Sequence, residues 1–439
     1  MIKSIAIFLN IVLTSMYFFP FQFKGLEGFN TKMMIALMGL IICIYEIPRK
    51  RDGLVSNNMF FLTVFASVVS LCGFISVILN GTPDYAYATY VMSMLVWTGG
   101  AYAVCHFLKQ VHENVNIRLL CNYLAAICVI QCAMALLIDY NPWVKQLVDS
   151  VIEQGQDFLN KSTVQRLYGI GANLDVAGSR FSAVLVLLGF VISKEFREKT
   201  SHVQVVLYIT AFMFIAIAGN MIARTTLAGL IVAVIYWIYD SGIWKLQLRN
   251  DYRVFFSWMT LAIAAIAFIL VFLYNADPKM KKLIHFGFEG FFSLFEKGTW
   301  EVSSNDKLMT MYVFPDNLKT WIIGDGYFSN PYNTDPFYIG VKSGGYYMGT
   351  DVGYLRFIFY FGLIGLSAFI AFFIKAYNLC VKQFAEYKPL FFMLLILNFA
   401  IWFKVSTDIF PIFALLIMLP QEDNIQEKGD NKELSQQLL

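Results

Sequence analysis

Charge is what this chain has least of. Only 14% of its 439 residues are Asp, Glu, Lys or Arg, against 58% hydrophobic, which excludes an ordinary soluble domain. The formal net charge is +3, and the basic residues are spread along the chain without a block, so a nucleic-acid partner is excluded. The four histidines are scattered. None of them forms a group with metal-ligand spacing, and neither a metal nor another cofactor is expected. The seven cysteines, Cys43, Cys72, Cys105, Cys121, Cys128, Cys132 and Cys380, fall within apolar runs or at their cytoplasmic ends. An odd number with none in an outer loop excludes a disulfide scaffold.

Long apolar runs are what the chain does have, with a mean hydropathy of +0.61. Runs of membrane-spanning character lie near residues 4–20, 31–47, 58–79, 88–108, 117–138, 176–193, 203–220, 226–239, 254–274, 352–374, 388–403 and 406–420. The expected class is therefore all-α: a polytopic membrane protein of about twelve transmembrane helices with large extracytoplasmic loops. No small-residue cleavage site follows the first run before Phe18-Phe19-Pro20, so that run is expected to be retained as a span. Basic residues cluster in alternate connections, at Arg49-Lys50-Arg51, Lys194–Lys199, Lys245–Arg253 and Lys375–Lys388, while 80–87 carries none. The asymmetry predicts that both termini are cytoplasmic.

The chain divides into N-terminal helices (1–138), a first outer loop (139–175), central helices (176–274), a second outer loop (275–350), C-terminal helices (351–420) and a polar tail (421–439) expected to be disordered. Residues 203–239 as one helix would run roughly 55 Å, beyond a bilayer core of about 30 Å. The chain must turn, and the only breaks put Arg224 in a tight outer turn. In the second loop, Leu283, Ile284, Phe288, Phe291, Phe292 and Phe295 recur at near-helical spacing from Lys279 to Lys297. That pattern predicts a helix lying in the interface or capping a cavity. A short helix from Ser303 or Ser304, capped by their hydroxyls, should run through Lys307 to Val313.

Four arginines, Arg166, Arg180, Arg224 and Arg356, cluster at the outer side. Helix-end arginines often only anchor to headgroups. As a set, however, they fit a phosphate, because the guanidinium fork donates paired hydrogen bonds and keeps its charge. Asp351 reads either as a helix N-cap or as a general base. On a helix it would share a face with Tyr354 but lie about 140° from Arg356. Tyr327, Phe328, Tyr332, Phe337, Tyr338, Tyr346 and Tyr347 form either an interfacial aromatic belt or a surface on which sugar rings stack. Gly324-Asp325-Gly326 reads as a turn, and Lys404 with Asp408, four residues on, as a local ion pair.

Several of these segments, taken in order, resemble the O-antigen polymerase and ligase superfamily. They are Arg166-Leu-Tyr-Gly169 through Asn173, Ala223-Arg224-Thr-Thr-Leu-Ala-Gly229, Ile323-Gly-Asp-Gly326-Tyr-Phe, and Asp351-Val-Gly-Tyr354-Leu-Arg356 continuing to Gly362-Leu-Ile-Gly365. The resemblance covers roughly residues 160–370. It implies a GT-C-like glycosyltransferase acting on undecaprenyl-pyrophosphate-linked glycans at the outer face of the bacterial inner membrane. Arg166 and Arg224 match the loop arginines that bind the lipid pyrophosphate, and Asp351 would be the base. Arg180, Arg356, Tyr354, Asn173 and Lys307 would bind substrate. Ligases usually carry a histidine, in a His-Asn-like pair, where this chain has Asp351-Val352, which favours a Wzy-type polymerase. The chain departs from the arginine-x10-glycine spacing of some polymerases, since Arg166 is followed by Gly169, Gly171 and Gly178. A ligase, or a lipid-linked oligosaccharide flippase, remains the alternative. Expected partners are lipid-linked glycans, membrane lipids and a chain-length regulator.

Overall fold

The computed structural model describes residues 2–26, 28–46, 57–153, 166–198, 201–245, 249–333, 335, 338–340 and 345–420. Phe337, the basic turn at 49–51, the amphipathic stretch beyond 153 and the tail from 421 lie outside them. Among the described residues a helix stands at each of the twelve apolar runs: α1 (Ile2–Phe18), α2 (Thr31–Glu46), α3 (Asn57–Asn80), α4 (Tyr90–Val111), α5 (Ile117–Tyr140), and, after α6 (Pro142–Val151) in the first loop, α7 (Leu174–Glu198), α8 (His202–Ile222), α9 (Thr226–Ser241) and α10 (Asn250–Ala276). The second loop holds α11 (Pro278–Gly287), α12 (Glu289–Lys297), α13 (Ser303–Met309) and α14 (Leu318–Ile323) before α15 (Gly353–Gln383), α16 (Lys388–Ile401) and α17 (Phe410–Met418). Seven of these helices are long and apolar enough to cross a membrane. With 14 and 9 residues, α16 and α17 are shorter than the runs predicted there. At 1.5 Å per residue, α17 covers only about 14 Å.

The chain turns where the sequence required it, between Ile222 and Thr226. Helix α7 is the centre of the bundle. Of its apolar window 94% is buried, against 11% for α10, which lies at the edge. Small residues let the neighbours of α7 come close: a Cβ on Gly229 of α9 would strike the Ser182 backbone at 2.2 Å. Ser182 Oγ donates to the Thr225 carbonyl (2.8 Å), and Trp237 Nε1 to that of Gly189 (2.8 Å). At the opposite end from the long loops, ion pairs such as Arg118–Glu195 (2.5 Å) and Arg197–Asp240 (3.4 Å) tie helices together.

Helix α15 is broken. Phe361 and Gly362 leave helical geometry, Gly362 with φ 68° and ψ −173°, a combination open to almost no other residue. The Gly324-Asp325-Gly326 turn docks into the break. The Asp325 amide donates to the Phe359 carbonyl (2.6 Å) and the Gly326 amide to that of Tyr360 (3.1 Å), which also accepts from Ser76 Oγ (2.7 Å). Backbone groups freed inside a bilayer must find such partners. The glycines are thus needed for close approach: a Cβ on Gly362 would sit 2.1 Å from the Ile322 carbonyl oxygen. Gly362→Ala is expected to cost more than about 3 kcal/mol and to lower the yield of folded protein. Gly298→Ala, at a positive φ with open space around it, should cost only about 1–2 kcal/mol. Thermal unfolding of both in detergent checks the contrast.

Candidate functional site: a cationic mouth where both long loops meet

The two long loops, about a hundred residues apart in sequence, converge on one aromatic ring. Arg166 lies 5.2 Å and Arg224 4.2 Å from the centroid of Phe286, in the last turn of α11. Local geometry explains the placement of each arginine. The Leu167 amide donates to the Met221 carbonyl (3.4 Å), fixing the first loop beside the α8–α9 turn. Gly171 (φ 71°) lets that loop pass where a Cβ would stand 2.3 Å from the Phe19 carbonyl oxygen. Arg224 donates through Nε to the Phe286 carbonyl (2.9 Å) and through Nη1 to Ser304 Oγ (3.1 Å), and pairs with Glu289 (2.6 Å). Burial pulls its pKa down, Glu289 pulls it up and Arg166 pulls it down. Arg166 has no hydrogen bond or ion pair to any described residue.

The helix expected over 279–297 is present, as two helices separated at Phe288. The serines of α13 do not cap it, contrary to expectation. Val302 is the N-cap residue, and no side chain caps there. Ser303 Oγ instead donates to Glu289 (3.0 Å) and Ser304 serves Arg224.

Two carboxylates within electrostatic reach of each other, Asp175 and Asp351, have different surroundings. Asp175, in the first turn of α7, accepts a hydrogen bond from Thr225 Oγ1 and lies 3.6 Å from Lys404 Nζ, which also donates to Thr225 (3.0 Å). Lys404 thus reaches across to α7 and is not paired with Asp408, which accepts from the Phe410 amide instead (2.9 Å). Asp351 makes no hydrogen bond to any described residue. It precedes α15, which begins at Gly353, and Thr350 accepts the local Val352 amide (3.2 Å). The N-cap alternative for Asp351 is thereby overturned, and so is the helical-face conflict with Arg356, because Asp351 is in loop geometry. Burial raises its pKa first and Asp175 raises it further, while Arg356, Lys307 and Lys404 draw it down.

Arg356 is 5% exposed and held between the rings of Phe328 (3.6 Å) and Tyr346 (3.3 Å), with Nη1 donating to Ser406 Oγ. It is joined by no described contact to Arg166 or Arg224. Tyr327, Tyr338 and Tyr347 pack together at 5.3–6.4 Å. Asp84 holds this loop by accepting from the Phe328 (2.8 Å) and Ser329 (3.1 Å) amides. Tyr354 does not join the site, because its hydroxyl donates to the Phe399 carbonyl (3.0 Å) and its ring packs on Trp402 and Phe403. Asn173 opens α7 by accepting the Ala177 amide at its carbonyl (3.1 Å), and Lys307 is exposed.

Arg180 is the deepest of the set. It is 6% exposed, with Nε and Nη1 sealed from solvent and unpartnered, and it is surrounded by Phe18, Phe19 and Trp97 at 5.6–5.9 Å. Lys32 lies over the same Trp97 (4.8 Å), and Asp408 is within electrostatic reach of both cations. A buried guanidinium without acceptors costs stability, so Arg180→Met should raise stability by ~1–4 kcal/mol. A higher thermal midpoint for the purified variant is the expected reading.

The residues that the sequence did not single out for the site are Phe286, Glu289, Asp175, Thr225 and Lys32. Thr225 was visible as the neighbour of Arg224 in the turn, and Asp175 as the acidic residue opening α7. Nothing in the sequence marked Glu289 as the partner of Arg224.

Comparisons of the chain with protein-family models, curated proteins and solved structures found no match.

Proposed function

We propose that this chain is a membrane glycosyltransferase that polymerises undecaprenyl-pyrophosphate-linked repeat units into a surface polysaccharide, O-antigen or capsule. In this reading it is a GT-C-like protein of the bacterial inner membrane with twelve spans, the last two short, with both termini cytoplasmic and the mouth periplasmic. A chain-length regulator is its proposed partner. One observation carries the reading: Arg166 and Arg224, from separate loops, both lie over the ring of Phe286, and a carboxylate already sits on Arg224. Such a pair suits a leaving pyrophosphate.

A sugar hydroxyl of one lipid-linked glycan attacks the anomeric carbon of a second. The C–O bond to undecaprenyl pyrophosphate breaks, and its electron pair leaves with the pyrophosphate. Charge grows on the departing oxygens, where fixed guanidinium donors stabilise the transition state more than the ground state. Asp351, with no hydrogen bond to any described residue, accepts the hydroxyl proton. Asp175, tied to Thr225 and Lys404, is the spectator of the two carboxylates.

Deleting the gene and separating surface glycans on gels tests the class of function. A single repeat unit still attached to its anchor supports a polymerase. Complete absence of attached glycan points to a ligase or flippase and overturns the proposal.

A further inference from the structure

Arg180 belongs to a group of polar side chains that stand near one another almost without partners. Arg180 is in the second turn of α7, Lys32 in the first turn of α2, and Asp408 in the connection before α17. All three lie at the end of the bundle that carries the long loops: Gln22, just before α2, pairs with Glu153 of the first loop, and Tyr312 of the second donates to the Phe403 carbonyl (2.9 Å). Asp408 is within electrostatic reach of Arg180, Lys32, Tyr87 and Tyr90. Among the described residues, however, neither cation forms an ion pair or hydrogen bond with it. Both cations lie instead over Trp97. The hydroxyls of Tyr87 and Tyr90, whose rings stack at 5.9 Å, make no hydrogen bond to any described residue. Lys32, Tyr87 and Asp408 keep accessible surface although protein encloses them. That surface therefore faces an internal space.

We infer that this space binds a singly charged acidic sugar, a uronic acid of the glycan, apart from the arginines at Phe286. The inference rests on the glycan reading above and names the sugar class. Two cations and one carboxylate leave one positive charge, which a sugar carboxylate neutralises. A pyrophosphate diester would leave a negative charge in poorly solvated surroundings, which is costly. The carboxylate supplies acceptors for the guanidinium fork and the ammonium, while Asp408 and the two phenols offer both acceptors and donors to ring hydroxyls. Buried polar groups left unpaired in this number need a partner. A lipid headgroup has no lateral route to Arg180, because α7 is the buried centre of the bundle. The stability cost of Arg180 is then the cost of a site held ready for its ligand.

The test is calorimetry on the full chain in nanodiscs. The probes are methyl uronides of the gluco, galacto and manno series, their neutral methyl glycosides, and dimethyl phosphate as a monoanion without a sugar. At least one uronide should bind wild type about tenfold or more tightly than its neutral partner and than dimethyl phosphate. Arg180→Met, whose thermal transition shows it folded, and Lys32→Gln should each lower that affinity about tenfold and leave the neutral glycoside unchanged. Lys297→Gln, on the exposed Lys297–Glu301 pair, should change nothing. No preference for any uronide, or a preference that survives both variants, overturns the inference. Dimethyl phosphate binding as tightly as the uronide overturns it in favour of a phosphodiester. Turnover of lipid-linked repeat units by the same preparation separates the two readings. Polymer without uronide preference sinks this inference alone, whereas uronide preference without polymer supports the site and sinks the polymerase.

Discussion

Arg224→Lys, at unchanged protein level, is expected to abolish long-chain polymer and to lower turnover about 10²–10³-fold, the loss typical of removing a preorganised donor from a developing anion. The charge is kept; the fork is not. Arg224 reaches the Phe286 carbonyl through Nε while Nη1 holds Ser304 and Glu289. One ammonium on a flexible stem cannot stand in both places, so the variant loses orientation as well as hydrogen bonds. The fall should appear chiefly in kcat, because the donors act on charge that develops in the transition state. Polymer length on gels and turnover of purified protein check it. Normal long-chain polymer in this variant would remove the clamp from the mechanism.

Asp351→Asn is expected to lower turnover about 10²–10⁴-fold, the usual share of a general base, and at the same time to raise the thermal midpoint at neutral pH. Both follow from the same surroundings. Burial and the Asp175 carboxylate raise the Asp351 pKa above the ordinary carboxylate value. A group that binds its proton more tightly folded than unfolded favours the folded state as pH falls. Its ionised form is therefore a cost to the fold above that raised pKa, and the amide removes the cost. Activity runs the other way: it needs the ionised carboxylate, and should fall as pH drops through the raised pKa, at higher pH than an ordinary aspartate would give. Asp175→Asn removes one cause of the shift and should move this acid limb to lower pH. A limb that stays in place would show that Asp351 is not the titrating group.

The helices were legible because apolar runs of spanning length need no tertiary information, and each of the twelve has its helix. The turn at Arg224 was legible for a related reason, since no single helix of residues 203–239 fits a bilayer. What failed depended on contacts across the chain or on backbone geometry. Lys404 and Asp408 were read as partners on the rule for residues four apart on a helix, but 402–409 joins α16 to α17 without being an α-helix. Gly324-Asp325-Gly326 was read as a turn, and its docking into the break at Phe361-Gly362 was invisible because the partner carbonyls lie over thirty residues away. Glu289 pairs with Arg224 across 65 positions, and no local pattern encodes such a pair. Tyr354 was placed with Asp351 by helical spacing, and that reasoning lapses because α15 starts only at Gly353.

Purified protein in nanodiscs, given only undecaprenyl-pyrophosphate-linked repeat units, should convert them to polymer and release undecaprenyl pyrophosphate, one carrier for each glycosidic bond formed. With Arg166→Gln or Arg224→Lys the yield of both products should fall together. If wild-type protein, folded by its thermal transition and supplied with authentic lipid-linked repeat units, forms no glycosidic bond and releases no carrier, the chain is not the polymerase that its mouth of arginines was taken to be.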